Sequence, residues 1–145
     1  MKRSLITLLL LALCVLASAQ ENKLKSYPVL RGEIVPASRL VETLVKDADI
    51  EGLGLTLFHS VRFTADQQEL AAVGALVLED AATALSRRTV LQSGLLRSAF
   101  LQTGRTGYLA FQSKPEREEG RFSVILVYME GKITEKQLRD MFSNQ

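Results

Sequence analysis

The sequence predicts an α+β fold: an antiparallel-rich sheet of about four strands, with a long helix and a short C-terminal helix packed mainly on one face. Three observations predict it. Leu55, Leu57, His59, Val61 and Phe63 alternate with Thr56, Phe58, Ser60 and Arg62 at the period of two of a pleated strand. Residues 64–86 carry apolar positions at helical spacing behind a capping sequence. Residues 95–130 hold three further apolar runs separated by turn residues, with a second capping sequence after them.

The first twenty residues are built differently from the rest. Lys2-Arg3 is a positive start, Leu5 to Leu16 is almost unbroken apolar sequence, and Ala17-Ser18-Ala19 closes it. That order is the signature of a cleaved signal peptide, residues 1–19, with the cut between Ala19 and Gln20. A permanent transmembrane anchor is not expected, because the twelve-residue run gives about 18 Å of helix and a span needs about 20 residues. Lipidation at Cys14 is disfavoured: Leu13 precedes it, and the small-residue cleavage site would then serve nothing. The expected location is therefore the periplasm or the exterior.

Removal of 19 of the 145 residues leaves 126, a single α+β domain over 20–145 without cysteine. Lys2 and Arg3 leave with the leader, so 16 cations then balance 16 carboxylates. The whole-chain charge of +2 thus carries no argument for nucleic acid, and none is expected as a partner. Without disulfides the domain rests on its hydrophobic core, and this length can bury about two-thirds of the unfolded surface.

Gln20 to Lys25 reads as a frayed polar terminus. Tyr27 to Val35 reads as a short extended piece between Pro28 and Pro36. Ser38 is placed to cap a short helix carrying Leu40, Val41, Leu44 and Val45; the same residues also satisfy a half-buried strand with Val41, Thr43 and Val45 on one face. Gly52 to Phe63 is a strand. Thr64-Ala65-Asp66-Gln67 reads as a capping box opening a helix to about Ser86. Leu70, Val73, Val77 and Ala84 form one stripe of that helix, and Ala71, Ala75, Leu78 and Leu85 a second. Arg87-Arg88 suit its negative end.

Leu95 to Gln102 and Tyr108 to Ser113 are strands around a turn containing Gly104 and Gly107, and Lys114 to Gly120 is a charged loop. Arg121 to Glu130 is apolar on both faces, which marks a strand covered on both sides. Thr134-Glu135-Lys136-Gln137 is a capping box, with Ile133 and Leu138 at the two positions of a hydrophobic staple. Leu138, Met141 and Phe142 are expected to dock that last helix.

The chemistry is sparse. His59 is the single histidine and the one weak candidate for catalysis; its strand neighbours predict a core-edge histidine with one hydrogen-bond partner, and Ser60 points to the other face. One histidine and no retained cysteine give no zinc pattern, so no metal and no cofactor are expected. Gly52-Leu53-Gly54 is a turn entering a strand, and a P-loop is absent. Glu79-Asp80 reads as a solvated stripe, and Glu116, Glu118 and Glu119 as a soluble hairpin tip. Arg62, Arg97 and Arg105 are weak candidates for an anion-binding patch, if the sheet gathers them.

Leu57-Phe58-His59-Ser60-Val61-Arg62-Phe63 and Val127-Tyr128-Met129-Glu130-Gly131, with the Ala19-Gln20 junction, resemble small exported Bacteroidetes proteins of unknown function. The resemblance implies an exported single domain of the envelope and carries no activity, cofactor or site. The function expected is a non-enzymatic binding domain for a protein, glycan or lipid of the cell envelope. Two alternatives stand beside it: a small hydrolase-like enzyme using His59 with a serine or carboxylate, and a structural subunit or inhibitor associating through a sheet edge.

Overall fold

The computed structural model describes residues 20–46, 54–134, 136–138 and 140. The expected leader with Cys14 and Ala19, the Gly52-Leu53 turn, and Met141 and Phe142 lie outside them. Within the described residues six strands form one sheet, where about four were expected. They are β1 (Val41–Lys46), β2 (Leu55–Asp66), β3 (Ser86–Gln92), β4 (Leu95–Gln102), β5 (Gly107–Pro115) and β6 (Arg121–Gly131). Their order is β1-β2-β6-β5-β4-β3, and every neighbouring pair is antiparallel. The doubly apolar β6 lies inside the sheet between β2 and β5, as its composition requires.

The two extra strands are the edges. Of the two readings of this stretch, Val41–Lys46 takes the strand and not the helix capped by Ser38: Ala37–Arg39 makes one 3-10 turn, and the chain then pairs along β2 from Val41 opposite Arg62 to Lys46 opposite Leu57. The free edge of β2 offers backbone partners that a two-turn helix does not have. Likewise the helix does not reach Ser86. Ala84 turns extended, and Arg87-Arg88 belong to β3, paired with Leu101 and Phe100. Arg87 still serves the helix end, its guanidinium donating to the Ala81 carbonyl at 3.2 Å. Ser93 and Gly94, with φ of 54° and 78°, close the tight hairpin from β3 to β4.

A one-turn helix and a long one complete the frame: α1 (Tyr27–Leu30) and α2 (Gln67–Thr83). The capping box of α2 sits two residues later than expected. Thr64, Ala65 and Asp66 remain paired with β6, and Asp66 becomes the cap: it accepts from the Glu69 amide at 2.7 Å while Glu69 accepts from the Asp66 amide at 3.1 Å. The first stripe of α2, through Leu70, Val73 and Val77, packs on Val61, Phe63, Leu101, Leu126 and other core residues. Gly74 lets it lie close, since a Cβ there would stand 3.2 Å from the Leu96 Cβ. The second stripe faces out, with Leu78 and Leu85 exposed.

The other face of the sheet carries a separate cluster. Ile133 and Leu138 pack against Leu55, Tyr108, Ala110, Val127 and Met129. The helical turn at 136–138 therefore lies across the sheet from α2, and the helices are not gathered on one face. Its capping box is as expected: Thr134 Oγ1 accepts from the Gln137 amide at 3.2 Å, and Gln137 Oε1 accepts from the Thr134 amide at 3.0 Å. Leu55 joins this second cluster because a bulge between Leu55 and Leu57 shifts the alternation of β2.

The N-terminal stretch is neither frayed nor extended. Glu21–Lys23 forms a 3-10 turn, and α1 follows with Pro28 in its first turn, where the missing N–H costs nothing. Val29, Leu30 and Val35 are fully buried against the α2 side of the core. Asp80, expected in a solvated stripe, is buried and holds this stretch down. It accepts from the Lys25 amide at 2.7 Å, the Ser26 amide at 3.1 Å and the Ser26 hydroxyl at 2.6 Å.

Candidate functional site

Among the described residues, a buried polar cluster lies on one face of the sheet and an open surface on the other. On the α2 face, β2 places His59 between its cross-strand neighbours Leu44 and Tyr128. The imidazole is 6% exposed and engages two carboxylates, where one partner was expected. Nδ1 meets Glu21 from the N-terminal turn, and Nε2 meets Glu42 Oε2 of β1 at 2.9 Å. Burial pulls the imidazole pKa down, but the two carboxylate hydrogen bonds and their charges outweigh it, and the net shift is upward. His59 is thereby held toward its charged form.

Tyr128 continues the cluster. Its hydroxyl donates to Glu130 Oε1 at 2.6 Å, and burial together with that carboxylate drives its pKa far upward. Glu21 adds to this shift, and a hydrogen bond from Thr103 opposes it. The phenol is a fixed, protonated donor. Both ring nitrogens of His59 are occupied by carboxylates, and the adjacent Ser60 stands on the opposite face of β2. The cluster ties the N-terminal turn, β1, β2 and β6 together; it presents no hydroxyl nucleophile to the imidazole among the described residues. No group of three His, Cys, Asp or Glu able to hold a metal ion forms among them either.

The second region is the half of the opposite face that Ile133 and Leu138 leave open. Here Val90, Phe100, Ala110 and Ile125 line an apolar groove of about 280 Å³, with Ser98 and Gln112 in its floor and Arg88 at the β3 side. A more polar recess of about 200 Å³ continues from it, sharing Gln112 and Ile125 and adding Arg62, Lys114 and Ser123. The register explains the alignment: Val90, Ser98, Gln112, Ile125 and Arg62 are successive cross-strand partners from β3 to β2. Nothing in the sequence spacing announces this row, because it is assembled from five strands.

Of the three arginines weighed as an anion-binding patch, Arg62 lines this recess. Arg97 is the extra residue of the β3–β4 bulge, three strand spacings away, and Arg105 lies in the turn beyond the opposite end of β4. The sheet does not bring them together. Arg62 instead shares a recess with Lys114. Glu116 is exposed at the upper rim, where the Thr64 hydroxyl donates to it at 3.2 Å. Gln20, the residue expected to begin the processed chain, is exposed beside Thr103 and Gly104. Glu21, Glu42 and Asp80 were missed as partners because they lie 38, 17 and about 55 residues from the groups they bind. Their only trace in the sequence is an acidic residue inside an otherwise apolar or polar run.

No helix among the described residues is long and apolar enough to cross a membrane. Comparison with known proteins finds no match among curated proteins and none among solved structures. A family model does match residues 12–142, nearly the whole chain, and the chain belongs to that family of unknown function, DUF6108.

Proposed function

We propose that this chain is an exported, non-enzymatic binding domain of residues 20–145, released by cleavage after Ala19, whose ligand seat is the open half of the second sheet face. The single observation that carries the reading is the apolar groove of about 280 Å³ at Phe100, Ala110 and Ile125. A half-covered sheet normally keeps its open face polar; an apolar recess left there is the common setting of a ligand site. The leader-like residues 1–19 and the resemblance to exported Bacteroidetes proteins support placement in the cell envelope. Partners are then proteins, glycans or lipids of that compartment, and not nucleic acid. The occupied ring nitrogens of His59 favour binding over hydrolysis.

Filling the groove tests the reading. Gln112 is exposed in its floor, so Gln112→Trp adds bulk without touching the core. The parent protein should retain a defined molecule from envelope extracts, and Gln112→Trp should retain at least tenfold less. Equal retention by both, or retention by neither, overturns the assignment.

A second reading, association through a sheet edge, is favoured by one observation: all seven residues of β3 are exposed. Light scattering after size exclusion decides it. A stable oligomer that Leu91→Lys disperses supports edge pairing, and a monomer contradicts self-association of this kind.

A further inference from the structure

We propose that the groove receives a single-chain amphiphile with an anionic head, the chemistry of a medium-length acyl carboxylate. The inference rests on the reading of this groove as the ligand seat and adds what fills it.

Three features of the groove select that chemistry. Its walls are apolar, built from Val90, Phe100, Ala110 and Ile125, over a floor that holds Ser98 and Gln112. Its shape is long: the row from Ile125 to Val90 crosses three strand spacings, about 14 Å at about 4.8 Å each. That is the reach of roughly ten to twelve extended methylenes, at about 1.25 Å apiece from a carbon–carbon bond of about 1.5 Å.

Cations flank the groove at both ends, but Arg88 on its β3 side is already engaged. Beyond Ile125 the row ends on Arg62, with Lys114 lining the same recess. Neither cation forms an ion pair with a carboxylate among the described residues. The paired positions from Val90 to Arg62 hold no acidic residue, and Glu116 stands at the upper rim, engaged by Thr64. An anionic head therefore sits at Arg62 and Lys114 while its chain runs toward Phe100 and Val90. The chain contributes area removed from water, about 25 cal/mol per Å²; the cations contribute the preference for a negative head.

Titration calorimetry of the purified protein with decanoate, decyl maltoside and inorganic phosphate tests this. Decanoate should bind at least tenfold more tightly than decyl maltoside, and phosphate alone should bind undetectably. The double variant Arg62→Gln/Lys114→Gln should lose the tenfold preference and keep its affinity for decyl maltoside; both substitutions are at exposed positions. Gln112→Trp should weaken both amphiphiles. Equal affinity of the parent for decanoate and decyl maltoside, or an unchanged preference in the double variant, overturns the anionic head while the groove remains a ligand seat. A dimer that decanoate does not dissociate, or binding only to anionic lipid vesicles, overturns the single-chain occupant. Failure of both amphiphiles overturns this inference alone if Gln112→Trp still abolishes capture from envelope extracts, and the groove reading with it if capture also fails.

Discussion

His59 is clamped at both nitrogens, and the clamp has a pH signature. The unfolded imidazole titrates near its ordinary value of 6.5, whereas the folded group is shifted upward by Glu21 and Glu42 against the downward pull of burial. The native state therefore holds the proton more tightly than the unfolded one. The stabilisation is fully present below about pH 6.5 and is lost as pH rises through the raised folded value. Urea unfolding of the parent from pH 5.5 to 9 should show this falling component, and His59→Gln should lack it. A parent curve parallel to that of His59→Gln contradicts the account. Asp80 makes a comparable statement about burial. Asp80→Ala strands three donors of the Lys25–Ser26 turn, and a loss of about 2–4 kcal/mol is expected from the urea midpoint. At this scale the sequence was legible for side-chain type and blind to partnership. A core-edge place for His59 could be read from its strand neighbours, but not its burial, and its carboxylates come from two distant segments.

Elements were legible where their periodicity was long and local. β2, β4, β5 and β6 follow from alternation and turn residues, and the Thr134 cap follows from its own four residues. β1 was legible only as an alternative to a helix, and β3 was not legible. Each is an edge strand whose residues are nearly all exposed, so burial leaves little pattern, and what makes them strands is the neighbour that supplies their hydrogen bonds. The junction of β2 and α2 shows the same competition. Pairing with β6 carries β2 through Asp66 and overrides a capping sequence at Thr64. One backbone position is decided by close approach. Gly131, with φ of 152°, lies where a Cβ would come within 2.3 Å of the Gly54 carbonyl oxygen. Gly131→Ala is expected to cost about 2–3 kcal/mol by forcing β6 off the start of β2. Thermal unfolding by circular dichroism checks it; an unchanged midpoint contradicts the packing described at this bulge.

At the scale of the whole molecule the two faces of the sheet divide the work. The α2 face is closed by the helix and by the N-terminal stretch that Asp80 and His59 hold in place. The other is half closed by Ile133 and Leu138. The proposed export follows from residues 1–19, and intact-mass analysis of the envelope fraction should find a chain beginning at Gln20, with or without loss of ammonia from its cyclised glutamine. A chain retaining Met1 to Ala19 contradicts that placement. Fold class and the inner strands could be read in the sequence; the open groove could not, because its lining is assembled from four separate strands. The most direct test of the central claim, that this open face is the functional surface, is an amide chemical-shift titration of the isotopically labelled protein with envelope extract. The account predicts perturbations centred on Val90, Phe100, Gln112 and Ile125, with His59 and Glu21 undisturbed. Perturbations centred on His59, Glu42 and Tyr128, or none on the groove, would contradict it.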